Sequence, residues 1–400
     1  MNKQKTYIVV GASAAGLAAA QKIRQLEPQS RILCFSDEAE PPYNKCFLAD
    51  FLGGHKSQSE VHTKSPDFLK NCSIELHLGV RVLSIDRASQ TVSCSDGKIY
   101  SYDALLLGVG AAARKPRCSY SEQTQGIFSF YTYADACALK TWMATRSPQH
   151  AVVLGAGLTG LEVADALQSY GCRVTVIEQQ PRLLMRHLDE EGASFVAQAI
   201  ERAGVSLMTG QAAIALIATE KNEVNAAIMA NGTSVPAQVV VAALGSVARL
   251  ELLEQAGLAM AEGGVITNEH LRTNDPFIFA AGDVALVNDA LTGERMRTAM
   301  WPDAVSQGMH AAYAMVGQPR PYPGVIPLAT STFFGMSFHS AGYLHVALPG
   351  WTEEIERTVD GYAKLVLDEQ GVVRGFICLG SLVSRVLAYK RALTTGQKVA

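Results

Sequence analysis

Residues 7–38 and 151–178 carry the same pattern, and this duplication limits the fold more than any other feature of the chain. In the first copy an apolar strand, Tyr7-Ile8-Val9-Val10, enters a turn of small residues, Gly11-Ala12-Ser13-Ala14-Ala15-Gly16. A helix to about Leu26 follows, and a second strand, Arg31 to Phe35, ends at Asp37-Glu38, about twenty residues past Gly16. Strand, small-residue turn, helix and acidic strand end together predict a dinucleotide-binding unit. Gly11 permits the tight turn. Small side chains let backbone N–H groups approach a pyrophosphate, and the helix N-terminus faces its negative charge. Asp37 can accept hydrogen bonds from a ribose hydroxyl pair. Ser13 stands where the usual pattern has its middle glycine, so this copy is imperfect.

The second copy is complete. Strand Ala151 to Leu154 enters Gly155-Ala156-Gly157-Leu158-Thr159-Gly160, a full G-x-G-x-x-G, and strand Arg173 to Ile177 ends in Glu178. The agreement continues downstream. Each copy is followed by strand-like segments, a hairpin turn (Ser95-Asp96-Gly97 and Asn231-Gly232), an apolar strand and a closing glycine. The interval from Gly97 to Gly110 recurs from Gly232 to Gly245. One G-x-G-x-x-G is weak evidence; two, each with its acid, hairpin and closing glycine, predict a repeated nucleotide-binding domain in an α/β fold. A third segment, strand Phe277 to Ala281 followed by Gly282-Asp283, delivers a carboxylate at a strand end, where sugar or ribityl hydroxyls are bound. A helix is expected over Trp301 to Val316. The Pro/Gly-rich stretch from Gly317 to Pro327 then leads into a module of mostly strand-like character.

Composition narrows the partners. A net charge of −3 argues against nucleic acid as the main partner, and no apolar run reaches a membrane span. Residues 6–20 resemble a signal-peptide core, but they form the nucleotide turn and continue into its paired strand, so that reading is rejected. Eight cysteines without a C-x-x-C or His/Cys metal spacing predict no metal site and a reducing, cytoplasmic compartment.

Two nucleotide units followed by Pro276-Phe277-Ile278-Phe279-Ala280-Ala281-Gly282-Asp283 resemble the pyridine nucleotide–disulfide oxidoreductase superfamily over essentially the whole chain. Within it, residues 36–51, 160–184, 301–308, 333–342 and 362–380 are most similar to the rubredoxin-, nitrite- and ferredoxin-reductase branch. The resemblance implies a glutathione reductase-like arrangement: an FAD domain from residues 1–118 and 245–318, an NAD domain at 119–244, and a small α+β interface domain at 319–400. It assigns Gly11, Ser13, Ala15, Gly16, Asp37 and Gly110 to FAD. Gly282 and Asp283 would hold the ribityl chain, and Trp301 would lie near the isoalloxazine. Gly155, Gly157, Gly160, Glu178 and Gly245 fall to NAD.

Lys45 replaces the Arg of the branch's Pro-Tyr-x-Arg-x-x-Leu, keeping the charge but losing the bidentate fork. Glu162, one turn into the second helix, would serve catalysis beside the nicotinamide and flavin N5, which must meet shielded from water. Many ferredoxin reductases carry a Lys five residues after that Arg. Here the position is Asp50, which removes the expected ion-pair partner of Glu162 and counts against a ferredoxin-specific assignment. Glu178 favours NADH, because a carboxylate repels the 2′-phosphate of NADPH; Arg182 would soften that preference.

The electron exit stays open between three readings. The first is an NADH-dependent reductase passing electrons from FAD to a small redox protein such as rubredoxin, or to a small-molecule acceptor. The second is a thiol enzyme, an NADH oxidase or peroxidase or a coenzyme A-disulfide reductase type, using Cys46. That cysteine falls where those families keep their redox cysteine, but Phe47-Leu48 replace their small residues. The third is a non-enzymatic flavoprotein sensor. A homodimer is compatible with all three.

Overall fold

The computed structural model describes residues 4–62, 66–346 and 348–398. They form two compact units. One takes in Met1–Cys46, Gln58–Ala112 and Val247–Pro327; the other takes in Phe47–Ser57, Ala113–Ser246 and Leu328–Ala400.

The first unit is organised on a five-stranded parallel sheet in the spatial order Ile278–Ala280, Ala104–Leu107, Thr6–Val10, Arg31–Phe35, Glu75–His77. Its central strands are near-continuous apolar runs because both faces are covered, and Tyr7, Ile8, Val9, Leu33 and Leu105 are fully buried. Helix Ala14–Leu26 returns from the first strand and packs on helix Trp301–Met315. The two approach so closely that a Cβ at Gly308 would lie 2.1 Å from the Ala15 carbonyl oxygen. Position 308 must therefore be glycine. Strands Val82–Asp86, Thr91–Cys94 and Ile99–Ser101 form an antiparallel meander beside the sheet.

The second unit repeats the plan. Its parallel sheet runs Ser206–Thr209, Arg173–Glu178, His150–Leu154, Val239–Ala242, Ile127–Ser129, and its meander is Ala213–Ala218, Val224–Met229, Ser234–Pro236. The spatial order matches the first sheet strand for strand. One edge differs in origin: the fifth strand comes from far downstream in the first unit and from upstream of the glycine turn in the second. The same unit contains a five-stranded antiparallel sheet, ordered Leu328–Phe333, Met336–Gly342, Val373–Gly380, Gly361–Leu367, Thr352–Arg357, with helix Val386–Thr395 packed on it. The α/β class, the two Rossmann-like sheets and the separate C-terminal sheet predicted from sequence are all present. No helix among the described residues is long and apolar enough to cross a membrane.

Candidate functional site

The two glycine turns fold alike, and for the same steric reason. Gly11 and Gly155 have φ of +108° and +104°, a conformation that side chains rarely adopt. A Cβ at Gly11 would lie 2.0 Å from the Gly108 carbonyl oxygen, and one at Gly155 2.5 Å from that of Ala243. Each turn is tied to the neighbouring strand, Gly11 N–H to the Phe35 carbonyl (2.8 Å) and Gly155 N–H to that of Ile177 (2.7 Å). The closing glycines, Gly110 and Gly245, also have positive φ and open space where a side chain would start. Their carbonyls accept from Arg249 N–H and Arg114 N–H.

Both helices after these turns begin without a side-chain cap. Ser13, at the N-cap of Ala14–Leu26, makes no capping bond, and Gly157 at the N-cap of Leu158–Gln168 has no side chain to make one. A helix start built this way presents backbone N–H groups and the positive end of the dipole to an anion. Around Gly157 nothing lies within 4 Å of where a Cβ would be, so the turn has room above it. These are the features a dinucleotide pyrophosphate needs, and they are present in both units.

In the first unit Gly11 and Asp37 line an open cleft of about 490 Å3, together with Val10, Phe35, Val109 and Arg249. Arg249 Nη1 stands 2.8 Å from Asp37 Oδ2. Sequence reasoning missed Arg249, which belongs to no motif and reaches Asp37 only through the fold. Gly282 lies beside Ala15, its N–H donating to the Oε1 of the fully buried Gln307 (2.7 Å). The carbonyl of Asp283 accepts from Arg297 (3.2 Å). Glycines, Asp37, Ala15 and Gly282 thus converge around one helix start, and the donor set fits FAD.

Trp301 opens helix Trp301–Met315 half-buried against the same core. Lys45 and Cys46 lie in the short 3-10 helix Lys45–Phe47, where Cys46 N–H donates to Asn44 Oδ1 (3.0 Å). Cys46 is exposed, whereas Cys34, Cys94, Cys172 and Cys378 are buried. Burial pushes the thiols of Cys34 and Cys378 up to about 12, which leaves them inert.

In the second unit Glu178 turns back on the glycine loop. Its Oε2 accepts from Ala156 N–H and its Oε1 from Gln180 N–H, both at 2.8 Å. The carboxylate is thereby fixed at the strand end, beside the glycine turn. The Arg182 guanidinium reaches the Leu188 carbonyl at 3.4 Å.

Glu162 has an unexpected partner. Its Oε1 accepts from Ser331 Oγ at 2.5 Å, a bond from the first strand of the C-terminal sheet. Burial, opposed by that bond and reinforced by the negative charge of Asp50, pushes its carboxyl up to about 7. Ser331 has no sequence signal, because it lies 169 residues from Glu162 in the chain.

Comparison with known proteins agrees with this geometry. The family model described as pyridine nucleotide-disulphide oxidoreductase matches residues 5–308. The rubredoxin-NAD(+) reductase of Pseudomonas putida is 31% identical over 386 residues, covering 93% of this chain and 99% of that protein. The NAD(P)H sulfur oxidoreductase (CoA-dependent) of Pyrococcus abyssi is 27% identical over 85% of this chain and 76% of its own length. Among solved structures, the ferredoxin reductase for the CYP199A2 system of Rhodopseudomonas palustris superposes with a TM-score of 0.89 at 26% identity, covering 99% of this chain and 96% of that one.

Proposed function

Because the chain belongs to the pyridine nucleotide-disulphide oxidoreductase family and is therefore an FAD-dependent NAD(P)H oxidoreductase, we propose that it draws electrons from NADH and delivers them to a small redox protein of the rubredoxin or ferredoxin kind. The observation that carries this reading is the pair of acid-tipped glycine turns, built twice on matching sheets, each shaped for one dinucleotide. Likeness to the Pseudomonas putida reductase over nearly its whole length supports the acceptor class.

FAD, when bound, would supply the redox chemistry between the two-electron nicotinamide and a one-electron acceptor. The chain's own residues bind and orient. The helix starts at Ala14 and Leu158 take the two pyrophosphates. Asp37, held by Arg249, takes the adenosine ribose of FAD, and Asp283 the ribityl chain. Lys45 and Trp301 hold the flavin, with Gly110 closing its site and Gly245 that of the nicotinamide dinucleotide. Glu178 takes the ribose of NADH, and Glu162 lies on the nicotinamide half.

The acceptor is tested by anaerobic turnover of the FAD-loaded protein with NADH against a panel: a rubredoxin, a [2Fe–2S] ferredoxin, coenzyme A disulfide, peroxide and oxygen. Reduction of an iron–sulfur or rubredoxin acceptor, unchanged in Cys46→Ser, is the expected result. Cys46 keeps a second reading alive because its thiol is exposed and the Pyrococcus abyssi relative acts on sulfur. Turnover confined to disulfide or peroxide and abolished in Cys46→Ser would replace the first reading with the second.

Coenzyme choice follows from Glu178. Glu178→Arg loses both backbone hydrogen bonds and offers a cation to a 2′-phosphate, so the ratio of kcat/KM for NADH over NADPH is expected to fall by roughly 10²-fold, about 2.7 kcal/mol. An unaltered ratio would mean that the ribose lies elsewhere.

A further inference from the structure

Three elements of the second unit meet at Glu162. Its own helix, Leu158–Gln168, carries it one turn beyond the helix start, on the face turned to strand Leu328–Phe333. From that strand Ser331 Oγ donates to Oε1 at 2.5 Å, at the short end for an O–H···O bond. Helix Leu48–Leu52 packs on the same helix, with Tyr170 Oη donating to the Leu52 carbonyl (2.7 Å), and it brings Asp50. Besides burial, the negative charge of Asp50 disfavours ionisation of Glu162. Lys140, on helix Tyr133–Arg146, donates to the Phe51 carbonyl (2.6 Å), and Lys56 donates its backbone N–H to the Asp50 carbonyl (3.2 Å). Asp165, on Glu162's own helix, accepts from Phe334 N–H (2.9 Å). Strand Leu328–Phe333 carries no charge. The neighbouring parallel strands carry His150 and Arg173 at their starts and Glu178 at an end, already directed at Ala156 and Gln180.

We propose that Asp50 and Ser331 act as positioning residues that make Glu162 a proton-exchanging carboxyl, and that its charge state sets how well the protein distinguishes NAD+ from NADH. This rests on the reading of the second unit as the NADH-binding fold. The oxidised nicotinamide ring is cationic and the reduced ring neutral, so only the oxidised form responds to a carboxylate beside it. With the Glu162 proton leaving near neutrality, NAD+ binds weakly below that point and more tightly above it, while affinity for the reduced ring stays level. Product release is thereby favoured at low pH. A lysine in place of Asp50 would hold Glu162 ionised throughout and abolish the response.

The test uses the oxidised, FAD-loaded protein and two probes: NAD+, and 1,4,5,6-tetrahydro-NAD, whose uncharged ring cannot reduce the flavin. Dissociation constants are measured across neutrality by calorimetry, and the protonated-carboxyl band is followed in infrared difference spectra. The expected result is an NAD+ affinity that rises roughly tenfold with pH and a flat profile for the tetrahydro analogue. Asp50→Asn should lower the midpoint and Ser331→Ala should raise it, shifts of opposite sign that a merely structural role would not produce. Glu162→Gln should flatten the NAD+ profile and remove the infrared band. A titrating band without a step in NAD+ affinity would overturn the proposed coupling, and the absence of such a band would overturn the proton site. Failure to bind either probe at any pH would overturn the dinucleotide reading itself, and the proposal with it.

Discussion

Gly160→Val is expected to yield a yellow, FAD-loaded protein that NADH reduces at least about 10²-fold more slowly than the unaltered chain. A Cβ at Gly160 would lie 2.0 Å from the Gly155 carbonyl oxygen, a distance no side-chain carbon tolerates, and 3.5 Å from Ala243 Cβ. The turn cannot yield locally. Gly155 is itself pressed against the Ala243 carbonyl and bonded to Ile177. The helix must therefore back away from the strand, taking with it the N–H groups that would hold the pyrophosphate. A displacement of about 1 Å is enough to cost two orders of magnitude in a reaction that depends on alignment. Anaerobic stopped-flow with NADH measures the loss, and dithionite, which needs no nucleotide site, shows that the flavin remains reducible. Gly16→Val, where the Cβ would fall 1.8 Å from the Gly11 carbonyl oxygen, should give the opposite pattern: a colourless protein that no longer retains FAD. If Gly160→Val reduced at the native rate, the second turn would not be the NADH site.

This division of labour was legible because glycine turns are local. The conformations of Gly11 and Gly155 follow from a steric rule that acts over six residues, and the apolar strands beside them show their burial directly in composition. Strand Arg31–Phe35 begins and ends where the pattern predicts and the first helix ends there too, at Leu26, but it begins at Ala14, inside the stretch read as the turn. What escaped was non-local or short. The edge strands Glu75–His77 and Ile127–Ser129 have three residues each, too few to show a period, and the first alternates poorly because it is an edge with an exposed glutamate. Helix Val386–Thr395 lay hidden within a module read as strand-like. Arg249 and Ser331 come to their carboxylates from 212 and 169 residues away, and a single sequence carries no record of such pairings. Asp50 was different: its sign alone, where many ferredoxin reductases carry a lysine, identified it as a departure, and its helix packs on the one that carries Glu162.

Removing the Asp189 carboxylate should cost about 3–5 kcal/mol of stability. Asp189 ties helix Glu190–Arg202 to the C-terminal sheet. Its Oδ1 caps helix Glu190–Arg202 through Gly192 N–H (2.9 Å), while its Oδ2 accepts from Tyr362 Oη (2.6 Å) and Lys364 Nζ (3.0 Å) on the C-terminal sheet. Lys364 is only 3% exposed and has Glu353 as its other partner at 2.7 Å. Asp189→Ala therefore leaves a buried ammonium with one carboxylate instead of two, besides uncapping a helix. Lys364→Met in the same chain should recover part of the loss, because the stranded charge goes with it.

The pH dependence has a definite sign. Burial alone would raise the Asp189 carboxyl, but the Tyr362 hydroxyl, the Gly192 N–H and Lys364 outweigh it and hold the group below its ordinary value. Its contribution is then complete above the unfolded value of about 3.9 and disappears as the pH falls toward the folded one. The urea midpoint of the native chain should drop below about pH 4, and that of Asp189→Asn should drop less. Equal acid slopes in the two proteins would show that Asp189 is not ionised in the fold. The consequence reaches the site as well. The sheet anchored by Asp189 is the one that carries Ser331, so loosening the anchor should shift the pH at which Glu162 exchanges its proton, even though neither residue of that hydrogen bond has been altered.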